Sequence, residues 1–142
     1  MIITMKVEIP THSKIKYEVD KETGEVRVDR VSKLAYPATY GYIKETLADD
    51  GDALDVFLLG DYNLAPGCIV DVEIVAIIDM WDNKEADSKV IAILPGEIIN
   101  NREVNNIINF LKIYKDDVVV GELHDNLVAV SYYNHCKKQY EE

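Results

Sequence analysis

Lys14-Ile15-Lys16-Tyr17-Glu18-Val19-Asp20 alternates charged and apolar residues, Lys21-Glu22-Thr23-Gly24 interrupts, and Glu25-Val26-Arg27-Val28-Asp29-Arg30-Val31 alternates again. Period-2 patterning on both sides of a glycine-containing break is a β-hairpin signal. The same period continues outward. Strands are predicted over 40–47, 53–59, 69–80 and 89–94, punctuated by Gly51, Gly60, Pro66-Gly67 and Pro95-Gly96. After Pro95 the period changes. Val104, Ile107, Ile108, Leu111 and Tyr114 recur at spacings of three and four, which predicts a helix opening near Asn101. A second helix is predicted over 125–140, with Asp125 as its cap and Lys137 and Lys138 near its negative end. Strands followed by helices make the chain α+β and mainly β, and no linker or repeat divides residues 1–142, so one domain is expected. Short antiparallel strands without a long exposed edge are best closed on themselves, so the expected architecture is a closed β-barrel flanked by helices.

A chain of 142 residues buries roughly 70% of its unfolded surface and needs neither disulfide nor metal merely to fold. Acidic residues outnumber basic ones 26 to 15, for a net charge of −11. That field disfavours nucleic acid and anionic membranes, and suits hard cations such as Mg²⁺ or Ca²⁺. Cys68 and Cys136 form no paired motif, as in a reduced cytoplasmic setting. The apolar start of the chain is too short for a signal peptide. The stretch 69–80 is broken by Asp71, Glu73 and Asp79, well short of the ~18 residues of a membrane span.

The densest polar cluster is Asp49-Asp50-Gly51-Asp52-Ala53-Leu54-Asp55-Val56. Acids around a glycine commonly make a solvated turn. Here, however, Asp50 and Asp52 would share a face in extended chain, roughly 7 Å apart. Asp55 also interrupts an apolar strand, where a carboxylate must be paired or metal-bound. An EF-hand does not fit, because Leu54 and Asp55 fall where that loop needs a ligand and then glycine. A second cluster is Asp82-Asn83-Lys84-Glu85-Ala86-Asp87-Ser88-Lys89, in which Asp87, Lys89, Ile91 and Ile93 share a strand face. Lys16 and Glu18, and Arg30 beyond Val28, fit either cross-strand charge pairing or a site. Tyrosine outnumbers phenylalanine nine to two, which places buried rings with hydroxyls near something polar. Tyr36, Tyr40 and Tyr42 crowd together. Tyr114-Lys115 ends the first helix, as a core ring and helix-end cation or as part of a site. His12, His124 and His135 are isolated in sequence, which argues against zinc.

Taken together these residues resemble the family I soluble inorganic pyrophosphatases. The resemblance runs from Glu8-Ile9-Pro10 through Lys16-Tyr17-Glu18, Val28-Asp29-Arg30 and Tyr36-Pro37-Ala38-Thr39-Tyr40-Gly41-Tyr42. It continues with the signature Asp50-Gly51-Asp52-Ala53-Leu54-Asp55-Val56, then Asp82, Asp87-Ser88-Lys89 and Tyr114-Lys115. It implies a five-stranded OB-like barrel and Mg²⁺-dependent hydrolysis of pyrophosphate to two orthophosphates. By the same resemblance Asp50, Asp55 and Asp87 hold metal, Asp55 as a bridging carboxylate, and Asp82 holds a further, substrate-associated ion. Asp52 is the general base. Lys16, Arg30, Lys89, Tyr114 and Lys115 bind phosphate, Tyr40 contacts the reacting centre and also the substrate, and Glu8, Glu18 and Tyr36 lie in the outer shell. A homo-oligomer, hexamer or smaller, is implied as well.

These seven carboxylates and four cations leave the site at −3, so metal must bind before a polyanion binds well. The chain departs from the family pattern in places. Ala53 stands where proline or an acid is common, and is expected to face away from the metals. Asn83 stands where many members carry glutamate beside the aspartate. The stretch between Lys89 and Tyr114 is short for a bacterial member.

Overall fold

The computed structural model describes residues 1–20 and 22–142; Lys21, in the predicted hairpin break, lies outside the described residues. In chain order the elements are β1 (Ile2–Ile9), β2 (Ile15–Val19), β3 (Val26–Val31), β4 (Thr39–Ile43), β5 (Asp55–Leu58), β6 (Ile69–Asp82), β7 (Glu85–Ala86), β8 (Lys89–Ile93), α1 (Asn101–Leu111), β9 (Val118–His124) and α2 (Asn126–Glu141). The protein is therefore α+β and mainly β. β1 pairs with β4, β4 with β5, β5 with β8 and β8 with β6, and β6 returns to β1. Five strands thus pair in a ring where a closed barrel was expected. One pairing, β5 with β8, is parallel where only antiparallel ones were anticipated.

β1 and β9 were not anticipated. β1 buries Ile3, Met5, Val7 and Ile9 in strict alternation with Thr4, Lys6 and Glu8, a period-2 pattern that the sequence does carry. β9 is exposed along most of its length and exists because the 14-residue β6 runs beyond the ring and offers it an edge. The hairpin β2–β3 stands apart as its own two-stranded sheet.

Alternate residues along β5 feed two apolar clusters. Val56 and Leu58 join Met5, Ile43 and Val72 beneath Ala129, Tyr133 and Cys136 of α2. Phe57 joins Tyr36, Tyr40, Ile91 and Ile93 beneath Val104, Ile107, Phe110 and Leu111 of α1. Both helices are capped from the preceding residue. Asn100 accepts from the amides of Arg102 and Glu103. Asp125 accepts from those of Leu127 and Val128, as its sequence position predicts.

Gly41 lies where β4 crosses β1, and a Cβ there would collide with the Lys6 carbonyl. Backbone cannot yield as a side-chain tip can. Gly41→Ala is therefore expected to cost more than ~2 kcal/mol, read as a lower urea midpoint with unchanged slope. A wild-type midpoint would refute that packing argument.

The β6–β7 hairpin closes through Asn83 and Lys84, both at positive φ (51° and 71°), between the paired residues Asp82 and Glu85. That turn favours asparagine at its first position and glycine at its second. The departure at Asn83 thus has a backbone reason. Lys84→Gly is expected to raise stability by about 0.5–1 kcal/mol, measurable by thermal melting.

Candidate active site

The site is organised around Lys89. As the first residue of β8 it lies beside Asp55 of β5 in the parallel register. Its side chain is only 3% exposed. An ammonium has three protons to donate, and here all three are used. Nζ donates to Asp55 Oδ2 at 2.7 Å, to Tyr40 Oη at 2.9 Å and to Asp87 Oδ2 at 3.1 Å. Burial alone would push this ammonium down, but the Tyr40 oxygen and the Asp55 and Asp87 carboxylates outweigh it and hold it well above its ordinary value. Burial pushes the Asp87 carboxyl up to about 6; the pull of Lys89 opposes this and the charge of Asp55 adds to it.

Aromatic packing aims phenol groups at the same place. Tyr36 lies 4.6 Å from Phe110 and 5.2 Å from Tyr40, Tyr40 lies 4.8 Å from Phe57, and Phe110 lies 5.0 Å from Tyr114, between ring centroids. Burial raises the phenols of Tyr36, Tyr40 and Tyr114 above their ordinary values. They remain protonated and available as hydrogen-bond donors.

Around this centre opens a cavity of about 560 Å³. It collects thirteen of the fourteen residues singled out in the sequence: Glu8, Lys16, Arg30, Tyr36, Tyr40, Asp50, Asp52, Asp55, Asp82, Asp87, Lys89, Tyr114 and Lys115. Glu8 reaches it through an irregularity. The β1–β4 register slips between Val7 and Ile9, so Glu8 is the extra residue of a bulge, which re-aims a side chain. Its carboxyl is raised by burial, an effect opposed by Lys16, whose Nζ lies 3.6 Å away. Lys16 pairs in register with Arg30 across the hairpin, so two cations enter side by side. Lys115 donates to Asp82 Oδ2 at 3.2 Å.

Glu18 is the residue the cavity leaves out. The β2–β3 register slips between Lys16 and Tyr17, where Asp29 of β3 is the extra residue, so the alternation of β2 itself is kept. Glu18 instead lines a second hollow of about 290 Å³, whose wall includes Glu8, Lys16 and Tyr42.

Asp50 and Asp52 are also arranged differently from expectation. Residues 49–52 turn rather than extend, with Gly51 at φ 88°. Asp50 Oδ1 accepts from the Asp52 amide at 3.0 Å, so the local hydrogen bond, not a strand face, sets their spacing. Ala53, expected to face away, also lines the cavity.

Tyr42 and Glu85 line it as well and were not assigned a role from the sequence. Tyr42 was legible as the period-2 partner of Tyr40. Glu85 was legible only through the two-residue turn that sets it opposite Asp82. With Glu85 counted in place of Glu18, seven carboxylates and four cations again leave the cavity at −3.

The donor chemistry fits a hard cation. Every anionic group in the cavity is a carboxylate, with no sulfur or imidazole. Among the described residues no donor reaches Oδ1 of Asp55 or Asp87, or either carboxylate oxygen of Asp52. Lys89 engages only the Oδ2 atoms of its two aspartates. Among these residues no three acidic or imidazole groups already converge as a finished ligand set.

The histidines lie outside the cavity, each against an aspartate: His12 with Asp61 at 2.9 Å, His124 with Asp79 at 2.7 Å and His135 with Asp49 at 3.1 Å. No helix among the described residues is long and apolar enough to cross a membrane.

Residues 5–141 match the family model for inorganic pyrophosphatase. The inorganic pyrophosphatase of Halalkalibacterium halodurans is 38% identical, over 98% of this chain and 95% of the relative. That of Mycoplasma genitalium is 37% identical, over 95% and 82%. The solved inorganic pyrophosphatase of Thermus thermophilus superposes with a TM-score of 0.89 at 32% identity, covering 99% of this chain and 92% of that one. Ring, cavity and relatives together define a hydrolase of phosphoric anhydrides. The chain belongs to the inorganic pyrophosphatase family.

Proposed function

We propose that this single domain hydrolyses pyrophosphate to two orthophosphates with Mg²⁺, through the residues of the Lys89 cavity. The observation that carries the reading is the buried clasp of Lys89 on Asp55, Asp87 and Tyr40 at the floor of an all-oxygen cavity rimmed by Lys16, Arg30 and Lys115. Asp50, Asp55 and Asp87 would hold Mg²⁺, with Asp82 at a further ion. When bound, Mg²⁺ supplies charge to neutralise the polyanion and acidifies water towards neutrality.

The chain's own groups do the rest. Asp52 accepts the proton of the attacking water. Lys16, Arg30, Lys89 and Lys115 bind phosphoryl oxygens and neutralise charge on the departing phosphate. Tyr40 and Tyr114 donate from neutral phenols, and Tyr36 and Glu8 orient their neighbours. Glu18 acts from the adjoining hollow on the Lys16–Glu8 wall. The cytoplasm, where pyrophosphate is released, is the proposed setting, and a homo-oligomer the proposed state.

Phosphate release from pyrophosphate, with Mg²⁺ and with EDTA, tests this directly; release that survives EDTA would overturn it. Ca²⁺ in place of Mg²⁺ is expected to give little turnover, since it binds flexibly with six to eight ligands and activates water less. Arg30→Ala and Lys115→Ala should each lower kcat/KM at least ~10-fold through lost charge-assisted hydrogen bonds. Arg30 lies on the exposed β3 and Lys115 beyond α1, so the circular-dichroism spectrum should not change. Wild-type kcat/KM in both variants would remove them from the substrate site.

A further inference from the structure

The turn that carries Asp50 and Asp52 is tied from outside the cavity. Gln139 Nε2 donates to the Leu47 carbonyl at 2.8 Å and to Asp49 Oδ1 at 3.3 Å. The same Asp49 oxygen accepts from His135 Nε2 at 3.1 Å. The Leu47 amide completes the tie by donating to the Cys136 carbonyl at 3.0 Å.

His135 and Gln139 stand four residues apart and so share one face of α2. The neighbouring face is seated in the core through Ala129, Tyr133 and Cys136. A rigid helix therefore grips both backbone polar groups of Leu47 and the Asp49 carboxylate. None of the three gripping residues lines the cavity.

The turn needs such an anchor. Asp49, Gly51 and Asp52 are exposed, and the hydrogen bonds from Ala48 N to Asp52 O, Gly51 N to Ala48 O and Asp52 N to Asp50 Oδ1 hold its shape but not its place. Thr46 fixes the base, bridging the Ile43 carbonyl and the Leu54 amide. The side facing away from that base is held by α2.

We propose that His135 and Gln139 are positioning residues that set the 47–52 turn, and with it Asp50 and Asp52, against the rest of the site. The inference rests on the proposed roles of those two aspartates. Misplacing a reacting group by about 1 Å can cost ~10²-fold in rate, so the grip acts on chemistry from outside the cavity.

Gln139→Glu keeps shape but sets a carboxylate against the Leu47 carbonyl and Asp49. His135→Ala removes one tie, and His135→Gln restores a donor near the Nε2 position. In Gln139→Glu, amide hydrogen exchange at Leu47, Ala48, Gly51 and Asp52 should quicken at least ~10-fold. Exchange in β5, in β8 and at Ala129–Tyr133 should stay at wild-type rates. Calorimetric titration with Mg²⁺ alone should show affinity weakened ~3–10-fold. His135→Ala should move both readouts in the same direction, and His135→Gln should return them towards wild type. Wild-type exchange in the turn of both disruptive variants would overturn the proposal. So would exchange that quickens equally throughout the ring, since that is plain destabilisation. If the wild-type chain neither binds Mg²⁺ nor releases phosphate, the proposed function fails, while exchange in the turn still decides whether α2 holds it.

Discussion

Asp52→Asn is expected to lower kcat by about 10²–10⁴-fold, the range general-base catalysis supplies. Asp52 is exposed on the turn, and among the described residues its carboxylate accepts no hydrogen bond. Its backbone amide, which donates to Asp50 Oδ1, is retained in the variant. The fold and the proposed metal ligands should therefore survive while the proposed proton acceptor is lost. The pH optimum should move upward, because hydroxide must now be present without help. Asp55→Asn provides the contrast. It neutralises a carboxylate that faces Lys89 at 2.7 Å, so its defect should include a raised Mg²⁺ requirement. Steady-state rates over a grid of Mg²⁺ and pH separate the two. Recovery of wild-type kcat in Asp52→Asn by Mg²⁺ alone would make Asp52 a ligand and not the base.

Lys89→Met should have the largest effect on stability. Removing one partner of a buried ion cluster leaves uncompensated charge and typically costs about 3–5 kcal/mol, roughly 10 °C in Tm for a chain of this size. Asp55 and Asp87 would then face each other without the ammonium, and Tyr40 would lose its partner. Activity should fall at least as far as in the Arg30 variant.

The pH dependence has a definite sign. In the native chain Asp87 keeps its proton up to about 6, against an ordinary value of 3.8. The folded state therefore binds more protons across that window, and the contribution of Asp87 to stability falls as pH rises through it. Without Lys89 the window extends higher, so the Tm deficit of the variant should widen from pH 5 to pH 8. Adding Mg²⁺ should narrow it. A deficit that does not change with pH would mean lost packing, not lost charge.

Much of the site was legible because its residues repeat with the period of their element. Asp87, Lys89, Ile91 and Ile93 were read as one strand face, and in the fold Lys89 is buried beside Asp87 while both isoleucines enter the apolar cluster beneath α1. Asp125 was read as a cap and caps α2. Where the register slips, periodicity gives no guidance. The bulge at Glu8, the slip at Asp29 beside the Lys16–Arg30 pair, and the turn that brings Glu85 opposite Asp82 depend on pairing between strands, which a single strand's pattern does not contain. β9 was missed for a related reason: three successive valines followed by Gly121-Glu122-Leu123-His124 show no period-2 alternation, and the overhang of β6 supplies its pairing edge.

The parallel alignment of β5 with β8 bears on how the molecule assembles. Asp55 and Lys89 are neighbours in the sheet but 34 residues apart in the chain, and parallel strands cannot be joined by a tight turn. Local hairpins such as β2–β3 can form early, whereas this pairing must await closure of the long loop between the two strands. The clasp at the centre of the site is therefore absent from any chain caught part-way through folding. During refolding from urea, turnover should return with the slowest structural phase, so that a count of working molecules is a count of fully native ones.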